Sequence, residues 1–552
     1  MEKRNCITCK QEFQLEAEDI QMYEQSDIPP TKECITCTWK RLLGFWIIGR
    51  FRVAKSALSG KQIITNLPES APFPIYHREE FSSEAWDPLS YGVEYDPNLP
   101  FLEQLTNLQH QVPHPHQSGR LNTNCEWTDD WWESKNCYLS RSGYRNEDVS
   151  YCYRVSELKN CQDLTYCFNM EQSYDCLYCY RSWRLFYSFN VTDSMDSMFL
   201  YDCRNCTNCF MSWNLRNKQY CILNKQYTKE EYYEKLKEYS LNSYKGVQEL
   251  KKTFWEYLQK EAIHRENFNT QSNNCTGNFS TENQACINAS FVEKSQNCRQ
   301  LIRGYNAKDS IEVISCGFTE KSARTVIDQW GYGNVCVLSA TNCRYSAYLD
   351  TCEDLENCFG CVGLKKKKYC ILNKQYSKEE YEVLKEKIKT DMISRGEWGQ
   401  FLPFAMSHSP YNMSLGAWMF EDISKSEVEA LGSRIEEVAT PSYEKSISSD
   451  VLPDTIEEVG EEICKQRIIC PKTGLSYNIS AVDLAFYKTY NIPLPQDHFD
   501  LRALNRFKPM TQMFLPQKGS CHYCSKEITH YYSPKLGFEK IACTECYQRN
   551  IS

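Results

Sequence analysis

The sequence has no long hydrophobic run. Its longest apolar stretch, residues 42–48, is far shorter than the roughly 20 residues that span a bilayer. No apolar segment lies between Met1 and the first cysteine, so the sequence predicts no secretory signal peptide. We therefore expect a cytoplasmic protein with no membrane contact. In a reducing compartment its cysteines are thiols or metal ligands rather than disulfides.

A strong excess of either charge is missing as well. The 552 residues carry a net charge of −9, which excludes a polybasic coat for nucleic acid and confines any such binding to local patches. No catalytic signature stands out, and no nucleotide-binding or CoA-binding loop is present. Glycine is scarce at 22 residues, whereas 37 Tyr and 31 Cys are unusually many.

The middle of the chain is periodic. Residues 135–224 repeat with a period of fifteen, and residues 284–373 repeat the same frame 149 positions later. Large apolar residues share one column: Tyr138, Tyr153, Phe168, Trp183, Met198 and Trp213. Thiols and small residues share another: Cys137, Cys152, Cys167, Ser182, Ser197 and Ser212. A short fixed period of this kind predicts a mainly β fold with two parallel β-solenoids of about 15-residue coils.

The solenoid thiols have two interpretations. Their columns also accept Ser, Ala and Thr, which favours thiols packed as small inward residues. The alternative is a zinc or iron–sulfur cluster around Cys203, Cys206 and Cys209.

Each periodic block ends in the same segment, Tyr-Cys-Ile-Leu-Asn-Lys-Gln-Tyr, at 220–227 and 369–376. Thr228 with Glu231, and Ser377 with Glu380, have the spacing of capping boxes that begin helices. We expect helices over about 228–261 and 377–391, each covering the open edge of its solenoid.

Both ends of the chain carry paired Cys-x2-Cys knuckles. Such pairs supply four thiolates at a spacing that closes a tetrahedral Zn²⁺ site, so the sequence predicts two structural zinc ions. The predicted ligands are Cys6, Cys9, Cys34 and Cys37 at one end and Cys521, Cys524, Cys543 and Cys546 at the other.

The two ends also resemble each other at a constant offset of 464, which places Asp19 and Tyr23 on Asp483 and Tyr487. Each end is therefore predicted to be a tandem of two zinc ribbons, one of which has lost its metal ligands. The residues predicted at the lost positions are Ala57, Gly60, His77 and Glu80, and Cys470, Thr473, His498 and Leu501. Cys470, His498 and the nearby Cys464 leave a third zinc site as an open alternative.

Basic residues interleave with aromatic ones in the first tandem without intervening acids, a composition suited to phosphates and bases, and basic residues recur without acids in the second tandem. The candidate nucleic-acid-binding residues are Lys40, Arg41, Arg50, Arg52, Lys55, Lys61, Trp39 and Trp46, with Arg502, Arg506, Lys508 and Lys518. The alternative interpretation is a solvated basic face with structural aromatics.

The predicted organisation has seven parts: tandem ribbon 1–95, linker 96–124, first solenoid with its helix 125–262, linker 263–274, second solenoid with its helix 275–392, connector 393–463, and tandem ribbon 464–552. The first linker holds His110, His114 and His116, for which a surface loop is favoured over a metal contact.

The Cys-x2-Cys tandems, the segment Glu84-Ala-Trp-Asp-Pro-Leu-Ser-Tyr91 and Gly396-Glu-Trp-Gly399 are similar to motifs of an uncharacterised family. That family consists of large, Cys-rich zinc-ribbon repeat proteins of candidate phyla radiation bacteria, and the resemblance spans nearly the whole chain. It implies zinc binding and no established activity. Proteins of that family keep more of the ribbon cysteines than this sequence does. Some of them carry a CoA-transferase label.

Three classes of function remain. The favoured one is a non-catalytic zinc-binding scaffold for a macromolecule, with RNA or another nucleic acid as ligand and no small-molecule substrate. The second is a protein-binding scaffold that uses Trp127, Trp131 and Trp132 as anchors. The third is an enzyme or metal-cluster protein that uses the Cys-rich solenoid.

Overall fold

The computed structural model describes residues 2–286, 290, 292–296, 304–305, 310–317, 324–325, 327–437 and 444–551. The chain divides into two compact units. Unit 1 comprises Met1–Ser118, Asn267–Glu436 and Met513–Pro516, and unit 2 comprises Gly119–Glu266, Glu437–Gln512 and Gln517–Ser552. No helix within the described ranges is long and apolar enough to cross a membrane.

The amino-terminal part of unit 1 contains two modules, each with an antiparallel hairpin followed by helix. In the first hairpin Glu2 pairs with Leu15, and in the second Arg52 pairs with Thr65. The elements of this part of unit 1 are β1 Glu2–Asn5, β2 Glu12–Leu15, α1 Ala17–Gln25, α2 Ile35–Gly44, β3 Arg52–Lys55, β4 Gln62–Thr65, β5 Ile75–Tyr76, α3 Arg78–Ser82, α4 Phe101–Gln111 and β6 His114–Pro115. Helix α4 and strand β6 lie in the segment that the sequence assigned to a linker.

Unit 2 begins with a β-solenoid of stacked parallel coils, which we call the first stack. Its strands are β7 Gly119–Arg120, β8 Thr123–Trp132, β9 Lys135–Tyr144, β10 Glu147–Ser150, β11 Tyr153–Ser156, β12 Lys159–Glu171, β13 Tyr174–Leu177, β14 Tyr180–Phe186, β15 Met195–Tyr201, β16 Thr207–Trp213, β17 Gln219–Ile222 and β18 Lys225–Gln226. Parallel partners lie twelve positions apart: Thr123 pairs with Lys135, and Lys135 with Glu147. The coil is therefore shorter than the fifteen-residue coil predicted from the sequence, and that prediction is wrong.

The backbone of the first stack turns at every third residue. From Leu121 to Leu223, each third residue has a positive φ between 44° and 61°. Four such corners per twelve-residue coil make each side of the coil three residues long. Asn and Asp recur at these corners and no Val, Ile or Thr occupies one, since left-handed φ is tolerated by Asn and Asp and disfavoured by β-branched residues. Glycine is not needed for these corners.

From Thr128 to Ser212, the residue after each corner is buried inside the coils. The buried cluster of the first stack includes Cys137, Val149, Cys161, Leu185 and Cys209, and all its members are separated by multiples of three. A spacing of fifteen positions equals one coil of twelve plus one side of three, so it keeps a residue on the inward position while moving it to the next side. This arithmetic explains why the predicted thiol column was inward although the predicted coil length was wrong.

Two helices follow the first stack, α5 Lys229–Leu236 and α6 Tyr244–Lys260. Thr228 and Glu231 form the predicted capping box at the start of α5. Tyr232 on α5 and Phe254 on α6 are buried, and the Phe254 ring lies 5.8 Å from that of Phe199 in the stack. The chain then forms β19 His264–Arg265.

Unit 1 contains a second series of parallel strands, which we call the second stack. The strands are β20 Ser280–Thr281, β21 Val292–Glu293, β22 Gly304–Tyr305, β23 Ser315–Gly317, β24 Ile327–Gln329, β25 Val335–Val337, β26 Ala340–Thr341, β27 Ala347–Asp350, β28 Cys352–Glu353, β29 Phe359–Val362, β30 Cys370–Ile371 and β31 Lys374–Gln375. Val335 pairs with Ala347, and Ala347 with Phe359, so the spacing is again twelve positions. Parts of the predicted second solenoid, residues 287–289, 291, 297–303, 306–309, 318–323 and 326, lie outside the described residues.

The second stack is followed by α7 Lys378–Arg395, α8 Leu415–Met419 and α9 Lys425–Ala430. Ser377 and Glu380 form the predicted capping box of α7. Short 3₁₀ turns at Phe404–Met406 and Tyr411–Met413 bury Met406 and Tyr411. The described part of the predicted connector thus contains helices α8 and α9 and these two 3₁₀ turns.

The carboxy-terminal part of unit 2 repeats the hairpin-and-helix plan. Its elements are β32 Ser446–Ser448, β33 Arg467–Ile469, β34 Ser476–Tyr477, α10 Ala481–Thr489, α11 Phe499–Thr511, β35 Gln517–Ser520, β36 Glu527–His530, β37 Ile541–Ala542 and α12 Thr544–Ile551. Helix α10 matches α1: Asp483 and Asp19 close capping boxes, and Tyr487 and Tyr23 are fully buried. The two helices therefore share their first-turn cap and their buried tyrosine at the predicted offset of 464.

Candidate metal centres

Four cysteines converge in the first module of unit 1. Cys6 follows β1 and Cys9 lies in the next turn, whereas Cys34 is the N-cap of α2 and Cys37 is in its first turn. The turn is held by hydrogen bonds from the Cys6 amide to the Gln11 carbonyl and from the Lys10 amide to the Cys6 carbonyl, at 2.9 and 3.0 Å. All four sulfur atoms lie within 4.8 Å of one another.

The sulfur separations fit a tetrahedral metal ion. Four bonds of about 2.3 Å at tetrahedral angles place sulfur atoms about 3.8 Å apart, and Cys9 Sγ lies 3.7 Å from Cys34 Sγ. A hydrogen bond from Cys37 is the main cause that lowers the pKa of the Cys34 thiol to about 5. A thiolate is the form that binds metal.

The last module of unit 2 holds an equivalent group, Cys521, Cys524, Cys543 and Cys546, whose sulfur atoms also lie within 4.8 Å. Cys524 Sγ is 3.9 Å from Cys543 Sγ, and the Cys543 amide donates to Cys521 Sγ at 3.3 Å. Burial raises the pKa of the Cys521 thiol, but backbone N–H groups of Cys543 and Cys524 outweigh burial and lower that pKa to about 6. Both predicted four-cysteine sets therefore have the geometry to hold a metal ion.

The second module of unit 1 has the same turn without cysteines. The Ser56 amide donates to the Lys61 carbonyl and the Gly60 amide to the Ser56 carbonyl, both at 2.8 Å, as in the Cys6 turn. His77 is the N-cap of α3, as Cys34 is of α2. Ser56 Oγ donates to a carboxylate oxygen of Glu80, so a hydrogen bond joins two positions that a metal would otherwise join.

This geometry corrects the predicted correspondence. Ser56 and Ser59, and not Ala57 and Gly60, occupy the places of Cys521 and Cys524, since each hairpin runs directly into its turn after β3 Arg52–Lys55 or β35 Gln517–Ser520. The offset between β3 and β35 is 465, one residue more than the 464 between α2 and α11. His77 and Glu80 remain the counterparts of Cys543 and Cys546.

The third module does not gather a ligand set. Cys470 belongs to no group of three or more potential metal ligands within the described ranges, and its sulfur is 4.0 Å from Asp497 Oδ1. His498 accepts the Asp500 amide as the N-cap of α11, and Cys464 lies in the 3₁₀ turn Glu461–Lys465. The described residues thus give the third module no group of three metal ligands.

The thiols of the first stack act as hydrogen-bond donors to the backbone. Cys203, Cys206 and Cys209 each donate to the carbonyl two residues earlier, as Ser182 and Ser212 do. A hydroxyl or sulfur at this position also accepts the amide twelve positions later, as Ser140 Oγ does from Cys152. Among the described thiols of the stack, no three form a metal-ligating group.

The basic residues of the first tandem make contacts inside unit 1. Arg41 donates to both Glu33 carboxylate oxygens at 2.8 and 2.7 Å, and Lys40 lies 2.6 Å from Glu427. Arg52 donates to the carbonyls of Leu67 and Pro68.

The aromatic residues of the first tandem are core residues, since Trp39 is 2% and Trp46 5% exposed. Arg50 and Lys55 are exposed, and Lys61 is an exposed residue 4.0 Å from Glu79. Only part of the predicted basic surface therefore faces solvent.

The basic residues of the second tandem divide in the same way. Arg502 and Arg506 pair with the buried Asp163 at 3.0 and 3.2 Å, inside unit 2. Lys508 and Lys518 are exposed, and Lys518 donates to Thr529 Oγ1 at 3.2 Å.

One side of the first stack presents aromatic residues in adjacent coils. Trp132 pairs with Tyr144, and Phe168 with Tyr180, in one column that we call the outer aromatic face. Tyr144 is 38% exposed, and Arg145 lies over its ring at 4.7 Å. Trp131, one of the predicted anchors, points inward and is fully buried, so that expectation is wrong for Trp131.

The structure also contradicts the surface loop expected around the histidines. His114 and His116 are buried, and His114 meets Asp350 and His408 in a third group whose ligand atoms lie within 4.8 Å. The sequence reasoning missed Asp350 and His408 altogether.

Comparisons with known proteins give no relative. No protein-family model matches the chain, and no curated protein or solved structure matches it significantly.

Proposed function

We propose that this protein is a non-catalytic scaffold with two structural zinc ions, which binds a macromolecule on the outside of its coils. The observation that carries the proposal is the pair of four-cysteine sets, each built on a hairpin turn and a helix start with all sulfurs within 4.8 Å. Four thiolates select zinc among common divalent ions and leave no open coordination position. The ions then stabilise small modules rather than act on a substrate.

The rest of the proposed architecture follows the predicted one with a shorter coil. We take the second stack as a second solenoid of twelve-residue coils, because its described strand pairs have the same spacing as those of the first stack. Helices α5 and α7 cover the ends of the stacks in this proposal, and both begin at capping boxes directly after the last hairpin.

A protein is the favoured partner. Tyr, Trp and Arg are the residues that dominate protein interfaces, and the outer aromatic face combines Trp132, Tyr144 and Tyr180 with Arg120 and Arg145 over its rings. We therefore prefer the protein-binding scaffold, the second class in the sequence analysis, to the nucleic-acid scaffold. Arg41, Arg502 and Arg506 are held in ion pairs, which would have to break before these side chains could contact phosphate.

Nucleic acid is the second candidate. The observation in its favour is the exposure of Arg50, Lys55, Lys508 and Lys518. Binding through phosphate contacts would fall steeply between about 50 and 200 mM salt. Fluorescence anisotropy of a labelled generic RNA at both salt concentrations decides this candidate, and absence of binding at the lower salt removes it.

The protein-partner proposal is tested by affinity capture from the native lysate with wild-type bait and with a Tyr144→Ala, Arg145→Ala bait. Tyr144 of the outer aromatic face is 38% exposed and the Arg145 side chain over its ring is also exposed, so the substitutions leave the core intact. A Tyr523→Ala bait is the matched control, since Tyr523 is 43% exposed on a ribbon module. Proteins lost from the double variant and kept by the control support the proposal, and identical captures contradict it.

A further inference from the structure

A buried carboxylate in unit 1 is approached by three nitrogen atoms at one oxygen. His114 Nε2 and His408 Nε2 each lie 2.9 Å from Asp350 Oδ2, and Gln109 Nε2 lies 2.8 Å from it. The other oxygen, Oδ1, accepts a hydrogen bond from Thr351 at 2.9 Å. A carboxylate oxygen has two lone pairs, so three donors to Oδ2 are one too many.

The His114 ring likewise has more hydrogen-bond contacts than a neutral imidazole can satisfy. Its Nδ1 lies 3.0 Å from the Val112 carbonyl oxygen while its Nε2 faces Asp350 Oδ2. A neutral imidazole carries one N–H, so its second ring nitrogen directs a lone pair at an oxygen unless the ring is protonated or a metal ion lies between the two atoms. A histidine that ligates a metal donates its other N–H to a carboxylate or backbone carbonyl. The Val112 carbonyl is placed for that contact.

The distances suit a shared metal ion. Two metal–ligand bonds of about 2.1 Å at a right angle place the ligand atoms about 3.0 Å apart. Both imidazole nitrogens are 2.9 Å from Oδ2, and all three ligand atoms lie within 4.8 Å of one another. An ion at this point takes one lone pair from each imidazole and one from Oδ2, and leaves the second Oδ2 lone pair for the Gln109 N–H.

Charge and access agree with this arrangement. Asp350 is fully buried, and the imidazoles of His114 and His408 beside it carry a charge only when protonated. A buried carboxylate needs a compensating charge, which a divalent ion bound by two neutral imidazoles would supply. The His408 side chain is 16% exposed, against 1% for His114 and 0% for Asp350, so His408 is the most exposed of the three ligands. Gln109 Oε1 is buried and has no partner among the described residues, and a water molecule on the ion would supply a donor.

We propose that His114, Asp350 and His408 bind one divalent transition-metal ion, Fe²⁺ or Zn²⁺. Two imidazoles and one carboxylate form the ligand set of open non-haem iron and zinc sites. Three protein ligands leave positions for water or a small-molecule ligand, which the closed four-cysteine sets do not. This site is independent of the proposed scaffold function, since it shares no ligand with either four-cysteine set.

Cobalt binding to the full-length protein tests the site. The zinc-loaded protein is dialysed against a mild chelator and titrated with Co²⁺ alone, which does not displace zinc from thiolates because it binds more weakly. We expect one Co²⁺ per chain, with visible d–d absorption and no sulfur-to-cobalt charge-transfer band. His408→Gln should weaken Co²⁺ binding by at least about 100-fold, the upper range for loss of even an outer-shell partner.

The control variant is His110→Gln, because the His110 ring contacts the Ala405 carbonyl and not the group. It should bind Co²⁺ as the wild type does. Asp350→Asn should abolish Co²⁺ binding. If this buried substitution prevents folding, the Co²⁺ affinity of His408→Gln tests the site instead. The assignment is wrong if the wild type binds no Co²⁺ in this way, or if His408→Gln binds it as tightly as the wild type. Two retained zinc ions in each variant show that the four-cysteine modules are folded, so failure here is distinct from failure of the scaffold proposal.

Discussion

A β-branched residue at a corner of the first stack should destabilise the neighbouring coils. Asn205 is exposed, has φ of 52° and donates a hydrogen bond to Asn217 Oδ1, one coil later, at 2.7 Å. Valine in the left-handed region costs about 1–2 kcal/mol, and loss of an exposed hydrogen bond adds about 0.5 kcal/mol. Asn205→Val should therefore cost about 2 kcal/mol, or roughly a 30-fold change in the opening equilibrium.

The assay is hydrogen exchange measured by mass spectrometry on peptides covering β15 to β17, which reports the local opening free energy. Asn205→Gly removes the same hydrogen bond without the steric cost, so its effect should stay below about 1 kcal/mol. Thr207→Val, in strand β16, is a second control that should change little. Equal effects of Val and Gly at position 205 would refute the assignment of a left-handed corner there.

Three other changes test the ion pairs of unit 2 and the corrected ribbon correspondence. Asp163→Asn leaves Arg502 and Arg506 buried with their partner neutralised, and should lower the free energy of unfolding by about 3 kcal/mol in urea denaturation. Burial alone would raise the pKa of Asp175, but Lys251 and Arg506 outweigh it and hold that pKa below its ordinary value. The stability from Asp175 is thus present above about pH 4 and lost as the pH falls through the lowered pKa, and Asp175→Asn should flatten that part of a pH–stability profile. The variant with cysteine at Ser56, Ser59, His77 and Glu80 should bind one additional zinc per chain, as measured by metal analysis. The control variant with cysteine at Ala57, Gly60, His77 and Glu80 should bind no additional zinc.

The inward residues of the first stack were predictable because Cys and other small residues recur at a fixed spacing in the sequence. Cys137, Cys152 and Cys167 were placed in one column from the sequence, and all three are buried. The coil length was not predictable from that column, because any multiple of three positions returns a side chain to the inward position. Backbone pairing alone selects a spacing of twelve, as in Val149 with Cys161. The recurrence of Asn and Asp at positions separated by multiples of three was the available signal for the corners.

The four-cysteine sets were predictable because each pair of ligands lies within a few residues. The degenerate second module was misplaced by one residue, because the offset that fits the helices changes between α11 and β35. When a turn has lost its cysteine ligands, no characteristic side-chain type remains in the sequence to show where a one-residue insertion lies.

The charged contacts and the third ligand group were not predictable, because their members are distant in sequence. Lys40 meets Glu427 across 387 positions, and His114 meets Asp350 across 236. A local excess of Lys and Arg looks like a free basic surface until such partners are known. The exposed Lys55 and the paired Arg41 cannot be told apart by composition.

The central claim is that two four-cysteine sets hold structural zinc, and native mass spectrometry of single and double cysteine variants tests it most directly. Cys9 and Cys524 are the exposed ligands of their sets, so serine at either position disturbs packing least. We predict that Cys9→Ser and Cys524→Ser each lose one zinc relative to the wild type and that the double variant loses two. Variants that keep the wild-type zinc content, or a wild type whose thiolate-bound metal is not zinc, would contradict the account.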